Sequence, residues 1–392
     1  MHARTLMSLP LLALALGGFV VGSSEFIIMG LLPELAADLN VSLANAGLLV
    51  SAYALGVVVG APLLGPMLDR APRRQAVIAL MFMYTLGNLA CALAPDYHWL
   101  LAARLATAIS HAGFFGCATL LARDLAPPHR QASAMAMVIS GLTIANVLGV
   151  PLGAWLGQTT NWRVTFFVVA GIGALTVIAQ FIWLPPTARP VRSASGSWSG
   201  IFRRPVLHTL LVCSLTSVSL FTVFTYISPF LREVTGFTPD QSNGALLLMG
   251  VGLTLGNVLG GRLADRGVQR AVPMALACGA LMVLGLFLFG QWQLPTLAIL
   301  LCWGIATFAV STPLQLLLVE QAGESASLAA TLSHAAFNLG NAAGAWFGGL
   351  WLSAHLGLPL LPVFGVLLLV LNFAVAWWLP RLKAVPHDIP LH

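Results

Sequence analysis

Residues 56–74 read GVVVGAPLLGPMLDRAPRR, and residues 252–270 read GLTLGNVLGGRLADRGVQR. At one constant offset Gly56 matches Gly252, Gly60 matches Gly256 and Gly65 matches Gly261. Asp69-Arg70 matches Asp265-Arg266, and Arg74 matches Arg270, while Gln269 stands where Arg73 stands in the first copy. An apolar helix with small residues four apart that closes twice on the same charged turn makes the chain two related halves. A second repeat agrees: Gly149–Gly157 (GVPLGAWLG) matches Gly340–Gly348 (GNAAGAWFG). Small residues at every fourth position form a flat stripe against which another helix packs closely.

The composition decides the solvent. Of 392 residues, 58% are hydrophobic and 8% charged, with mean hydropathy +0.91, where a soluble domain carries about 25% charged residues. Lipid must cover the outside of such a chain. The net charge of +6 does not point to nucleic acid, because the basic residues sit in short loops between apolar runs and form no continuous face. Cys91, Cys117, Cys213, Cys278 and Cys302 lie inside apolar runs without metal-ligand or disulfide spacing, so neither a metal nor a cofactor is expected.

A bilayer core of about 30 Å requires roughly 20 apolar residues as helix, and backbone groups cannot go unpaired in lipid. Twelve runs meet this: 10–31, 45–67, 75–94, 99–122, 133–157, 164–184, 207–230, 242–262, 271–290, 295–318, 327–352 and 359–379. Arg4 followed by Leu6–Val21 has the look of a secretory signal, but the apolar run resumes through Phe26–Leu32 without a cleavage site, so it is expected to be the first membrane helix. The expected fold is an all-α integral membrane protein of twelve transmembrane helices in two pseudo-symmetric six-helix halves, 1–184 and 207–392. The proline- and arginine-bearing segment 185–206 is the linker, and its bases suit anionic headgroups.

Lys and Arg set the orientation. Arg4, Arg70, Arg73, Arg74, Arg123, Arg130, Arg189, Arg192, Arg203, Arg204, Arg262, Arg266, Arg270, Arg381 and Lys383 fall on one side; the other holds Arg163 and Arg232. Both termini are therefore expected in the cytoplasm.

These residues resemble the major facilitator superfamily. The resemblance rests on the two six-span halves, Gly65-Pro-Met-Leu-Asp69-Arg70-Ala-Pro-Arg73-Arg74 after the second helix, and Arg104 early in the fourth; Pro72 stands where many members have glycine. Gly149-Val-Pro151-Leu-Gly153 is similar to the antiporter motif of the exporters, with Val150 splitting the usual Gly-Pro pair. Ser24-Glu25-Phe26, Gly30-Leu-Leu-Pro33, Ser110-His111-Ala-Gly-Phe114-Phe115 and Trp162-Arg163 with Phe166 resemble the sugar-efflux and chloramphenicol-resistance branch of the drug/proton antiporters. The resemblance implies proton-driven efflux by alternating access in a bacterial inner membrane, by a chain acting as a monomer on a small-molecule substrate. It places a cavity between the halves, lined by the first, fourth, seventh and tenth helices. It also implies that the Asp69 turn latches the cytoplasmic face.

Ionisable groups within spans are costly and default to function. Glu25 lies late in the first helix and Arg104 early in the fourth. Both sit roughly 8–10 Å below the outer boundary at 1.5 Å per residue, a depth that permits a pair. A carboxylate moved between a desolvated setting and one beside a cation takes up and releases a proton, the alternative being a static ion pair between helices. His111, seven residues after Arg104, shares its face two turns deeper and suits a proton relay, a substrate hydrogen bond or a packing contact. Glu25, Arg104 and His111 are the proton-coupling candidates. Glu25, His111, Phe115, Asn146, Tyr226, Gln315 and Asn338 are the substrate-binding candidates; for the amides, hydrogen bonds between helices are the competing use. His334, in Ser333-His334-Ala335, echoes the His111 triplet at a position that the repeat does not relate to it. The rival readings are an importer or uniporter of the same fold, against which the Gly149–Gly153 motif argues, a polytopic membrane enzyme, for which a catalytic cluster of metal-ligand spacing is lacking, and a receptor or scaffold, which would not need two matching charged turns.

Overall fold

The computed structural model describes residues 8–68, 71–186, 198–265 and 267–378, and all regular structure among them is helical. The spans are α1 (Ser8–Gly30), α2 (Leu43–Leu68), α3 (Arg73–Ala92) and α4 (Tyr97–Leu125). α5 consists of Gln131–Ile144 and Val150–Thr159 joined by the π-helical turn Ala145–Gly149, and α6 is Trp162–Trp183. The second half repeats the order with α7 (Arg204–Phe224), α8 (Pro239–Asp265), α9 (Val268–Phe289), α10 (Gln293–Ala322), α11 (Ala326–Ser353) and α12 (Leu361–Ala376). The first ten are long and apolar enough to cross a bilayer. α11 carries Thr331, Ser333, His334, Asn338 and Asn341, and α12 is shorter than its apolar run, turning at Trp377 and Trp378.

The helix ends follow local chemistry. Asp96 caps α4 by accepting from the Trp99 amide at 2.9 Å, and Asn161 caps α6 by accepting from Arg163 at 2.8 Å; each satisfies an amide that the helix leaves unpaired. The expected continuous fifth helix is interrupted. Pro151 supplies no amide and its ring crowds the carbonyl four residues back, and the ladder widens into the π turn just before it. α1 and α7 both break near the same end, at Leu31 and Tyr226, and each resumes as a short helix, Leu32–Asp38 and Ile227–Glu233.

Glycines set the packing. A Cβ on Gly60 of α2 would collide with the Ile109 backbone of α4, and one on Gly256 of α8 with the Ile305 backbone of α10. Ile109 and Ile305 are as far apart in sequence as the two glycines, so the repeat read in the chain is a repeat in space. Gly149 and Gly153 similarly admit Ser23 and Ile27 of α1, and Gly340 and Gly344 admit the backbone of α7.

The halves meet along α2 with α11 and α5 with α8. Among the described residues, the hydrogen bonds that cross between them are Ser51 Oγ to the Ala342 carbonyl (2.9 Å), Ser228 Oγ to the Gly30 carbonyl (3.3 Å), Asn243 to Gln158 (2.7 Å) and Arg232 to Glu34 (2.6 Å). Phe26 and Phe221 add a ring contact at 6.3 Å. All lie toward the end where α1 and α7 break. That end is termed the sealed end, and the opposite one, which carries Arg73, Arg74, Arg123, Arg130, Arg203 and Arg204, the arginine-rich end.

Candidate functional site

The ionisable candidates of the first half converge where α1, α2, α3 and α4 meet. Arg104 is fully buried. Its Nη1 donates to the Ser24 carbonyl at 2.8 Å and lies 3.4 Å from Ser24 Oγ, its Nη2 donates to the Glu25 carbonyl at 3.3 Å, and its guanidinium stacks 4.1 Å over the Tyr53 ring. A delocalised guanidinium suits such a site because main-chain carbonyls and an aromatic face both offer it negative potential. The pairing that the depth argument permits therefore runs through the main chain of Glu25. The Glu25 carboxyl itself faces His111, with Oε2 4.0 Å from Nδ1. Glu25 and His111 each keep 8% of their surface exposed.

Tyr53 and Tyr84 complete the cluster. The two phenol oxygens are 2.8 Å apart, Tyr53 Oη is 3.0 Å from His111 Nδ1, and Tyr84 donates to the Val21 carbonyl at 3.0 Å. Ser24 donates to Asn88 Oδ1 at 2.6 Å, and Asn88 donates to the Tyr84 carbonyl at 2.9 Å. Sequence reasoning missed both tyrosines. The available signal is that the chain has only four, three of them within otherwise apolar runs, where a phenol must find a hydrogen-bond partner.

The remaining candidates divide. Phe115 is half-buried and meets the His111 ring edge-on at 5.4 Å. Gln315 is half-buried. Asn338 is buried, donating to the His334 carbonyl at 3.0 Å with its own Oδ1 unpartnered. Asn146 lies in the π turn and donates to Leu142 at 3.2 Å, and its backbone meets Gly250. Tyr226 is fully buried at the α7 break, where its hydroxyl donates to the Ala345 carbonyl at 2.9 Å and its ring fills the space beside Gly47. Its hydroxyl is thus committed to structure. His334 is exposed on α11, the helix of the second half that packs along α2.

At the arginine-rich end, Arg73 pairs with Asp124. Arg74 donates to the Leu184 and Phe181 carbonyls, both at 2.7 Å, and lies over the Phe181 ring. The α6 C-terminus offers unpaired carbonyls and negative dipole charge, so this base stabilises a neighbouring helix end within its own half. Asp69, Arg70 and Arg266 lie outside the described residues, as do the side chain of Asp265 and residues 187–197 of the expected linker; Arg270 is exposed. At the sealed end Asp38 accepts from Trp162 Nε1 (2.8 Å) and Arg163 (2.5 Å), and Arg163 also donates to the Ala94 carbonyl at 3.1 Å. These two donors hold the Asp38 carboxyl below the usual carboxylate range. The Trp162-Arg163 pair is therefore explained by a corner clamp.

A two-half helical bundle with a buried proton-capable cluster is the architecture of a membrane transporter. The Major Facilitator Superfamily model matches residues 14–333, and the chain belongs to that family. It is 42% identical over 359 residues to the inner membrane transport protein YdhP of Escherichia coli (strain K12), covering 91% of this chain and 92% of that one. It is 31% identical over 347 residues to a chloramphenicol resistance protein of Streptomyces lividans, covering 86% and 88%. In fold it matches a bacterial homolog of the human lysosomal transporter Spinster, solved in an inward-facing and unoccupied conformation, with TM-score 0.80 at 17% identity over 96% of this chain and 97% of that one.

Proposed function

We propose that this transporter is a proton-coupled exporter of small organic molecules such as sugars, sugar-like compounds or amphenicol-type drugs, in the bacterial inner membrane. The observation that carries the reading is the Glu25–His111–Arg104 cluster. Two groups able to exchange protons sit beside a permanent cation within the membrane-spanning bundle, each retaining a little exposure. A proton arriving on Glu25 or His111 raises the charge of a low-dielectric site by one unit, and a change of that size can bias two arrangements of the halves. The relative described as a chloramphenicol resistance protein supports the substrate class, and the inner-membrane relative supports the location.

In this reading both termini and the arginine-rich end face the cytoplasm, and the chain acts as a monomer with residues 185–206 linking the halves. The Asp69-Arg70 turn is the cytoplasmic latch, so Asp69→Asn shifts the resting population toward inward-open. Unchanged accessibility of cytoplasmic-side cysteines in that variant would contradict the latch. The function itself is tested by counterflow and by uphill transport in proteoliposomes under an imposed pH gradient, across a panel of sugars and amphenicols. Gradient-dependent flux of at least one compound is expected; exchange that ignores the gradient for every compound removes the antiport reading.

A further inference from the structure

The hydrogen bonds behind His111 form a chain whose direction is fixed at its far end. The Val21 carbonyl carries no proton, so Tyr84 must donate its single hydroxyl proton there at 3.0 Å. In the 2.8 Å contact between the phenols, Tyr84 is then left only as acceptor, and Tyr53 must donate. The Tyr53 proton being spent, its oxygen can only accept in the 3.0 Å contact with His111 Nδ1. The other donors at this corner are engaged elsewhere: the Ser24 hydroxyl with Asn88 Oδ1, the Asn88 amide with the Tyr84 carbonyl, and the Arg104 Nη groups with the Ser24 and Glu25 carbonyls. Any reversed order leaves one of these three contacts as two acceptors facing each other.

We infer that His111 is held as the Nδ1–H tautomer by the chain Tyr53–Tyr84–Val21, so that Nε2 is the atom at which it accepts a proton, with Tyr53 and Tyr84 as positioning residues. The inference rests on the proposed proton coupling for its consequence, and on geometry alone for the tautomer. Nε2 has no hydrogen-bond partner among the described residues, whereas Nδ1 is engaged. The titratable and charged groups that face this ring are Glu25 from α1, Tyr53 from α2, Tyr84 from α3, Arg104 from its own helix and His334 from α11. The arrangement gives proton transfer an order. A proton reaching Nε2 turns both ring nitrogens into donors, and Nδ1–H still points to Tyr53 with the Glu25 carboxylate 4.0 Å away. The phenols need not move for the ring to load and unload.

The tautomer is read from nitrogen-15 chemical shifts and nitrogen–carbon couplings of histidine-labelled protein in lipid nanodiscs at a pH where the ring is neutral. The His111 signals are assigned by their loss in His111→Gln. The wild type is expected to show Nδ1–H. Tyr84→Phe frees the Tyr53 proton to be given to Nδ1, so the tautomer should flip to Nε2–H. Tyr53→Phe removes the constraint and should give a mixture. An Nε2–H ring in the wild type, or an unchanged tautomer in Tyr84→Phe, overturns the inference; a role in packing alone would leave the tautomer untouched. In proteoliposomes Tyr84→Phe should keep counterflow and displace the pH profile of gradient-driven transport, and an unmoved profile contradicts the positioning role. If the wild type shows no gradient-driven flux, proton coupling fails while the tautomer stands on its own spectrum.

Discussion

Where α1, α2 and α4 of the first half meet, Glu25, Tyr53, Arg104 and His111 are buried; the matching positions of the second half are Leu220, Met249 and Leu300, all buried, and Thr307, half-buried. The pairing follows the scaffold: α4 and α10 match through the Gly60–Ile109 and Gly256–Ile305 contacts, and Leu220 precedes the α7 break as Glu25 precedes the α1 break. Trp303 takes the place of Thr107, meets Phe224 edge-on at 6.5 Å, and borders a narrow void with Leu220 and Thr307. The glycine seams that bring backbones together are common to both halves. The charges are not. A buried guanidinium or carboxylate is expensive in hydrocarbon, and the scaffold stands without one in its second copy. The cluster of the first half is therefore there for work that the fold does not require, and the second half serves as its neutral counterpart.

The strongest way to break the shared part of this comparison is to fill a seam. Gly60→Leu and Gly256→Leu should each abolish recovery of monodisperse protein from detergent, because no flexible side chain can yield where the Cβ meets backbone. Recovery of one variant and loss of the other would show that the halves do not share the packing rule. Next is Arg104→Leu, which copies Leu300 into the first half. It takes the Arg104 donors away from the Ser24 and Glu25 carbonyls and removes the cation from beside the Glu25 carboxyl, at a cost of about 3 kcal/mol, read as a fall in the thermal unfolding midpoint. Adding Glu25→Gln should recover part of that loss, and strict additivity of the two would deny the coupling.

Smaller effects sharpen the contrast. Arg232→Gln removes the ion pair with Glu34 that ties the halves at the sealed end. A partly exposed pair is worth about 1 kcal/mol, so accessibility of cysteines placed near the sealed end should rise severalfold; no rise would remove this pair from the seal. Smallest is the corner clamp. In the second half the corresponding corner is held by Thr235 donating to the Gly290 carbonyl at 2.7 Å, which does not titrate. In the first half Asp38 is depressed by its donors, so its contribution is fully present above the unfolded carboxylate value, near pH 4, and is lost as the pH falls through its folded value. Asp38→Asn should flatten the acid-side slope of the melting midpoint, while Thr235→Val lowers the midpoint without changing the slope.

The fold was largely legible because lipid leaves the backbone one option, and because the two glycine turns carry the repeat in plain letters. The π turn was less so: Pro151 announces a lost hydrogen bond, but whether the helix kinks or widens depends on α8 pressing Gly250 against Asn146. Glu25, Arg104 and His111 stood out as charges among apolar residues, and the structure brings them together. Tyr53 and Tyr84 did not stand out, since a phenol in a helix reads as packing until its partners are known. The partners of Arg73 and Arg74 were hidden for the same reason: Asp124 and the α6 carbonyls are far along the chain. Tyr226 misled in the other direction, a polar group in a promising helix whose hydroxyl is spent on Ala345.

The central claim, that the first half carries the proton and the second does not, is tested most directly by paired substitutions at matched positions. Glu25→Gln and Leu220→Gln are reconstituted, and for a substrate found in the panel both exchange and uphill transport under a pH gradient are measured. The account predicts that Glu25→Gln exchanges substrate but no longer concentrates it, whereas Leu220→Gln does both. Uphill transport surviving in Glu25→Gln would contradict it.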